Sequence, residues 1–211
     1  MITLNFFNLI PDPKAEAKLK EKVQQYINIM IICNPMSKDF QDDFASFYQL
    51  RGWNAASKRP IFFGNFNDLL VASKKNVITY ANVIDKFYPR NEKSFSSKIL
   101  HTIYPDKPII DQKALAKLEM DIDFKKDYPI PSLLKKKAGK GKYRIIIGND
   151  TVADSKSFYC NLENYYNTLK TDPATKKYLV DFDNWCKNTA GIDDPSRISD
   201  IKKIDFWMWL A

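Results

Sequence analysis

The sequence predicts a single all-α domain over residues 1–211, with about eight helices and at most a short strand pair near 143–147. Three observations carry this prediction. Apolar residues recur at helical spacing through most of the chain. Glycine is scarce, 6 in 211 residues, which is too few for the many tight turns of an all-β fold. Hydrophobic residues make up 45% of the chain and aromatic residues 14%, enough for one core of ordinary size without disulfides or metal.

The first helix follows Pro13. Over 15–33 an apolar stripe runs through Ala15, Leu19, Val23, Tyr26, Ile27, Met30 and Ile31. Asn34-Pro35 ends it, because the residue before a proline disfavours helical backbone. A second helix covers 38–50, with Asp39 near its start and Phe40, Phe44, Phe47 and Tyr48 on one face; Arg51-Gly52 stops it. Residues 53–65 read as a loop holding a short apolar run, Ile61-Phe62-Phe63. Asn65 or Asn67 caps a long third helix that reaches Tyr88, its stripe passing through Leu69, Leu70, Ala72, Val77, Tyr80, Ala81, Ile84 and Phe87 before Pro89 ends it. A short helix over 94–104 is capped by Ser94 or Ser96. After a turn at 105–108, Asp111 is the expected N-cap of a helix over 112–120. From 121 to 148 the periodicity weakens, and the apolar run at 143–147 reads as a lone short strand or an extended segment. Helices resume over 155–169, 173–188 and 198–210. The last ends in Phe206-Trp207-Met208-Trp209-Leu210, too apolar for a solvated tail, and is expected to dock on the core.

Charge and cysteine usage narrow the function classes. Lys and Arg number 33 against 25 Asp and Glu, a net charge of +8. That surplus attracts polyanions, of which DNA and RNA are the commonest, although an AT-rich genome inflates lysine and produces the same surplus without function. The three cysteines, Cys33, Cys160 and Cys186, form no CxxC pair and no Cys/His cluster, so the expectation is a reducing, cytoplasmic setting and no metal centre. Residues 1–11 lack a basic region followed by an apolar stretch, so no secretory leader is expected, and no apolar run is long enough to span a membrane.

The stretch that carries chemistry is Ser96-Ser97-Lys98-Ile99-Leu100-His101-Thr102-Ile103-Tyr104-Pro105-Asp106-Lys107-Pro108-Ile109-Ile110-Asp111. A short helix holds Lys98 in its first turn, a turn with two prolines follows, and an aspartate opens the next helix. Lysine at a helix start is unfavourable, because it meets the positive end of the dipole. The order of parts resembles the helix-hairpin-helix DNA glycosylase superfamily in its 8-oxoguanine-glycosylase-fold branch. There a hairpin leads into a helix bearing a lysine near its start, and a short loop then delivers a catalytic aspartate at the head of the next helix. The match covers roughly residues 93–118. No glycine occurs in the preceding Arg90-Asn91-Glu92-Lys93-Ser94-Phe95-Ser96-Ser97, and Lys98 and Asp111 stand 13 positions apart, closer than is usual in that family.

The resemblance implies an enzyme, without cofactor or metal, that flips a damaged or modified base out of double-stranded DNA and leaves an abasic site, in one version as a defence against phages with modified DNA. It gives Asp111 the stabilisation of positive charge at C1′ and the activation of water. Lys98 is then either a Schiff-base nucleophile or a phosphate contact. Trp53 and Asn54, with His101 nearby, are the candidate base pocket. Phosphate contacts fall to the Ser96 and Ser97 amides, if these sit at a helix N-terminus, and to the basic run Lys135, Lys136, Lys137, Lys140, Lys142 with Arg144, read as a flexible Lys/Gly loop. Each has a plainer reading: Asp111 as a helix cap, Lys98 as a surface lysine, His101 as a half-buried packing residue, Trp53 as a loop anchor. The chain is expected to be a monomer. Two other function classes stay open, a non-catalytic nucleic-acid-binding protein and a defence or toxin effector without DNA chemistry.

Overall fold

Side-chain caps set most of the helix starts. The computed structural model describes residues 4–50, 59–87, 93–127, 133–137 and 143–210. Among these lie α1 (Phe6–Leu9), α2 (Pro13–Ile32), α3 (Lys38–Phe47), α4 (Arg59–Ser73), α5 (Tyr80–Lys86), α6 (Lys93–Ile103), α7 (Gln112–Met120), α8 (Ile122–Asp127), α9 (Val152–Thr171), α10 (Pro173–Trp185) and α11 (Asp200–Leu210). Asp12 accepts from the amides of Lys14 and Ala15 at the head of α2, with Pro13 at the first helical position where its missing N–H costs nothing. Thr79 with Asn82 and Thr151 with Asp154 form capping boxes at α5 and α9. Asp172 closes α9 and caps α10.

The predicted all-α class holds. The described residues add only two strands, β1 (Leu133–Lys137) and β2 (Tyr143–Ile147), paired antiparallel with Lys135 opposite Ile145. The first three lysines of the basic run therefore lie on a strand rather than in a Lys/Gly loop. A partner strand satisfies backbone groups of the apolar run at 143–147, which cannot stand alone.

The long third helix is corrected to two. The apolar run Ile61-Phe62-Phe63 lies inside α4, where Phe62 and Phe63 are buried against Phe44. The chain then turns at 74–79, Tyr104 Oη accepts the Ile78 N–H, and Thr79 starts α5 afresh. A cap signal inside a continuous apolar stripe decides that break. Two short helices, α1 and α8, have too few residues to show a period.

The core has two centres. Phe40, Phe44, Phe62, Phe63 and Phe66 form one, between α3 and α4. The other surrounds α11, whose residues 201–208 are all buried and which packs on α1, α7, α9 and α10. The tail does dock on the core, as its composition predicts. Among the described residues no helix is long and apolar enough to cross a membrane.

Candidate functional site

The chain between Lys98 and Asp111 is held by four side chains. Ser97 Oγ accepts the amide of Ile110 at 2.9 Å. His101 Nδ1 lies 2.6 Å from the Lys107 carbonyl, Tyr159 Oη donates to the Pro108 carbonyl at 2.8 Å, and Ser199 Oγ donates to the Pro105 carbonyl at 2.6 Å. A loop pinned at 105, 107, 108 and 110 returns the chain to the face of α6 that bears Lys98. Gln112 then grips β2 through both Ile145 backbone groups at 2.9 Å each, fixing the head of α7.

The result is one pocket of about 50 Å³ lined by Phe47, Tyr48, Gln49, Lys98, Asp111, Lys202, Asp205 and Trp209, with Ile109 and Ala114 behind them. The two residues singled out in the sequence, Lys98 and Asp111, share it. Asp111 is an N-cap, its Oδ1 accepting the Lys113 amide at 2.8 Å. The cap and the pocket wall are thus the same residue. Lys98 lies in the second turn of α6 and is buried, its Nζ 5.4 Å from the Tyr48 ring centre and 5.5 Å from that of Phe95. Burial pushes its ammonium down from the usual lysine range, and the Asp111 charge opposes that.

Two charged pocket residues escaped the sequence reading, as did Phe47, Tyr48, Gln49 and Trp209. Lys202 and Asp205 lie three positions apart on α11 and so share a face. Lys202 Nζ stands 4.9 to 5.7 Å from the ring centres of Phe206, Phe47, Tyr26 and Tyr48. Burial lowers its ammonium to about 8, with the Asp205 charge opposing the fall and Lys98 adding to it. Asp205 Oδ1 accepts Tyr166 Oη at 2.8 Å, while Oδ2 is buried without a hydrogen bond. Burial, with the Asp111 charge, raises this carboxyl to about 7, against the pull of Lys202, of the Tyr166 bond and of the Ile109 backbone N–H. The signal was legible: α11 is apolar on all sides yet carries Lys202, Lys203 and Asp205. Lys203 is explained by Asp183 and Asp200, at 2.8 and 3.3 Å. Lys202 and Asp205 turn to the pocket.

Aromatic walls come from Phe47, Tyr48 and Trp209, with Phe47 and Trp209 rings 5.7 Å apart. Gln49 sits exposed at the mouth, with φ +52°. It follows the end of α3, where Leu50 N–H reaches back to the Ala45 carbonyl, a helix stop that normally takes glycine.

Three expectations are corrected. Ser96 and Ser97 are fully buried beyond the first turn of α6, because that helix starts at Lys93, so neither can meet a phosphate from outside. His101 is fully buried rather than half-buried and is absent from the pocket lining. Since the Lys107 carbonyl can only accept, Nδ1 carries the ring proton and Nε2 accepts from Tyr26 Oη at 3.1 Å. The basic run does not act as one loop: Lys136 is exposed on β1 and Lys135 and Lys137 share that strand. Arg144 is exposed on β2 and pairs with Asp150, which also pairs with Lys93. Trp53, Asn54, Lys140 and Lys142 lie outside the described residues. Among the described residues no group of three or more His, Cys, Asp or Glu could hold a metal ion. No protein-family model, no curated protein and no solved structure matches the chain.

Proposed function

We propose that the chain is a DNA glycosylase-like enzyme that hydrolyses the N-glycosidic bond of a damaged or modified base in double-stranded DNA. One observation carries this: Lys98 and Asp111, 13 positions apart on different helices, line one pocket walled by Phe47, Tyr48 and Trp209. Breaking the bond builds positive charge on the sugar, and the Asp111 carboxylate stabilises it and takes a proton from the attacking water. The rings stack the extruded base, and Gln49 at the mouth reads its edge.

Lys98 favours the nucleophile role over the phosphate contact. A phosphate contact sits at the surface, whereas this amine is buried and desolvated, which increases its neutral, reactive fraction. The pocket is smaller than the roughly 150 Å³ cavity that takes one benzene, so a base enters by displacing Gln49 or Trp209 at the rim. Lys136 and Arg144, opposite one another on the strand pair, offer phosphate contacts on one face, Arg144 by exchanging Asp150 for a phosphate, and the net charge of +8 speeds encounter. The setting we propose is a cytoplasmic monomer, with phage DNA carrying modified bases among the substrates.

An abasic-site assay tests this. The protein is incubated with damaged duplexes and hypermodified phage DNA, and alkali then cuts any abasic site. Asp111→Asn keeps the cap, since asparagine caps as well as aspartate, and is expected to lower base release about 10²-fold or more while DNA binding persists. Cleavage without alkali, trapped by borohydride and lost in Lys98→Met, makes Lys98 the nucleophile. Tight, salt-sensitive binding with no base release from any substrate overturns the enzyme in favour of a binding module.

A further inference from the structure

The carboxyl of Asp205 poses a problem the mechanism above leaves unsolved. It is about 95% buried, Tyr166 donates to Oδ1, and the Ile109 backbone N–H also acts on the carboxyl. Oδ2 is enclosed, takes no hydrogen bond, and belongs to a pocket-lining residue. A carboxylate oxygen in that position is costly, because it has shed water and gained no close hydrogen bond in return. A proton on Oδ2 removes the cost and gives a pocket-lining residue an O–H to donate.

Resting on the glycosylase reading, we infer that Asp205 is the proton donor to the departing base, so that the pocket is built for bases that leave as neutral molecules. Asp111 is less suited to the task. Its Oδ1 accepts a backbone N–H at the head of α7, a bond that needs no proton on the carboxyl. In the step, the bond from C1′ to the base nitrogen breaks and its electron pair goes to the base. The Oδ2 proton passes to an acceptor atom of that base, which departs uncharged. Water or the Lys98 amine forms the new bond to C1′, and Asp111 receives the proton which that nucleophile sheds. Asp205 finishes as a carboxylate and Asp111 as an acid, and solvent restores both.

The surroundings fit a group that holds its proton near neutrality. Lys202 faces Asp205 from the same helix, Tyr166 and Tyr159 from α9, Tyr178 from α10, and Asp111 from the head of α7. Tyr26 on α2 and Tyr48 after α3 complete the set, while Lys98 and His101 on α6 face Lys202. Burial and Asp111 hold the proton on, Lys202 works to release it, and the balance stands at about 7. Lys202 thus tunes the titration through its charge.

The experiment is the pH profile of single-turnover base release on the substrate found by the abasic-site panel. The wild-type rate is expected to fall about tenfold per pH unit above about 7, as Asp205 loses its proton. Asp205→Asn keeps the shape and an acceptor for the Tyr166 hydroxyl, and is expected to be slower by about 10²-fold or more, with the alkaline fall gone. Lys202→Met leaves the donor in place and is expected to move the fall to higher pH, because the charge that releases the proton is removed. A wild-type rate that stays flat or rises through pH 7 to 9 overturns the inference without any variant. So does Asp205→Asn with wild-type rate and profile, while the glycosylase reading survives both results. No base release from the wild type on any substrate overturns both together.

Discussion

Protonating His101 should unfold the protein progressively in acid, and the size of the effect follows from its surroundings. The ring is fully buried, donates from Nδ1 to the Lys107 carbonyl and accepts at Nε2 from Tyr26. A second proton on Nε2 would meet the Tyr26 O–H, whose own ionisation burial disfavours. It would also add charge near Lys202. Burial first, then the Lys202 charge, hold the ring at about 3 against an ordinary value of 6.5, with the Lys107 bond opposing. The folded value is depressed, so stability is full above pH 6.5 and is lost as pH falls toward 3. Each pH unit in that window costs about 1.4 kcal/mol, so about 2.7 kcal/mol is gone at pH 4.5. That is a large share of the roughly 5–15 kcal/mol that holds a domain folded. The assay is urea denaturation of the wild type and His101→Gln between pH 7.5 and 4.5, read as the difference between the two. Asp205 is present in both proteins, so its opposite trend, in which acid favours the folded state, cancels. The variant starts less stable by about 1–3 kcal/mol, having lost buried hydrogen bonds, and the gap should close as pH falls. Because His101 is the only histidine, one NMR titration gives its folded value directly. A ring titrating near 6.5, or a constant gap from pH 7.5 to 4.5, would refute the reasoning.

Two further predictions concern backbone held in the left-handed region. At Gly148, φ is +52° and an added Cβ would lie 2.8 Å from Asp154 Cγ, the carboxyl that accepts from Asn149 N–H and Thr151 Oγ1 at the head of α9. Gly148→Ala is expected to cost about 1–3 kcal/mol, seen as a lower Tm; an unchanged Tm contradicts it. Gln49 also has positive φ, at the pocket mouth. Gln49→Gly should leave stability within about 1 kcal/mol of wild type while weakening base release, and Gln49→Val should cost about 1–2 kcal/mol, both measurable by thermal melts beside the abasic-site assay. Equal melts for the two variants would show that the backbone there is unstrained.

Helix identity was legible wherever an apolar stripe and a capping residue agreed. Asp111 as the cap of α7 and the buried α11 tail follow from that rule. It failed at residues 65–88, where the stripe runs on but Thr79 and Asn82 restart the helix, because a capping box acts over four residues and a periodic reading averages over many more. Ser96 and Ser97 were misjudged for a related reason. Moving the start of α6 back to Lys93 turns two candidate phosphate-binding amides into interior positions, and the small hydroxyls let the Ile109–Asp111 segment approach, Ser97 accepting from Ile110.

The sequence by itself determined the all-α class, the basic balance, and the pairing of a helix lysine with an aspartate at the next helix start. Those are local properties, fixed by periodicity, charge and capping within a few turns. Only the tertiary structure decided that Lys98 and Asp111 share a pocket, and that Lys202 and Asp205, nearly a hundred positions later, complete it. Spacing along the chain carries no information about that meeting. It depends on hydrogen bonds from His101, Tyr159, Ser199 and Ser97 that fold the intervening loop back, and on the burial of α11, which leaves two charged side chains no water to turn to except through the pocket.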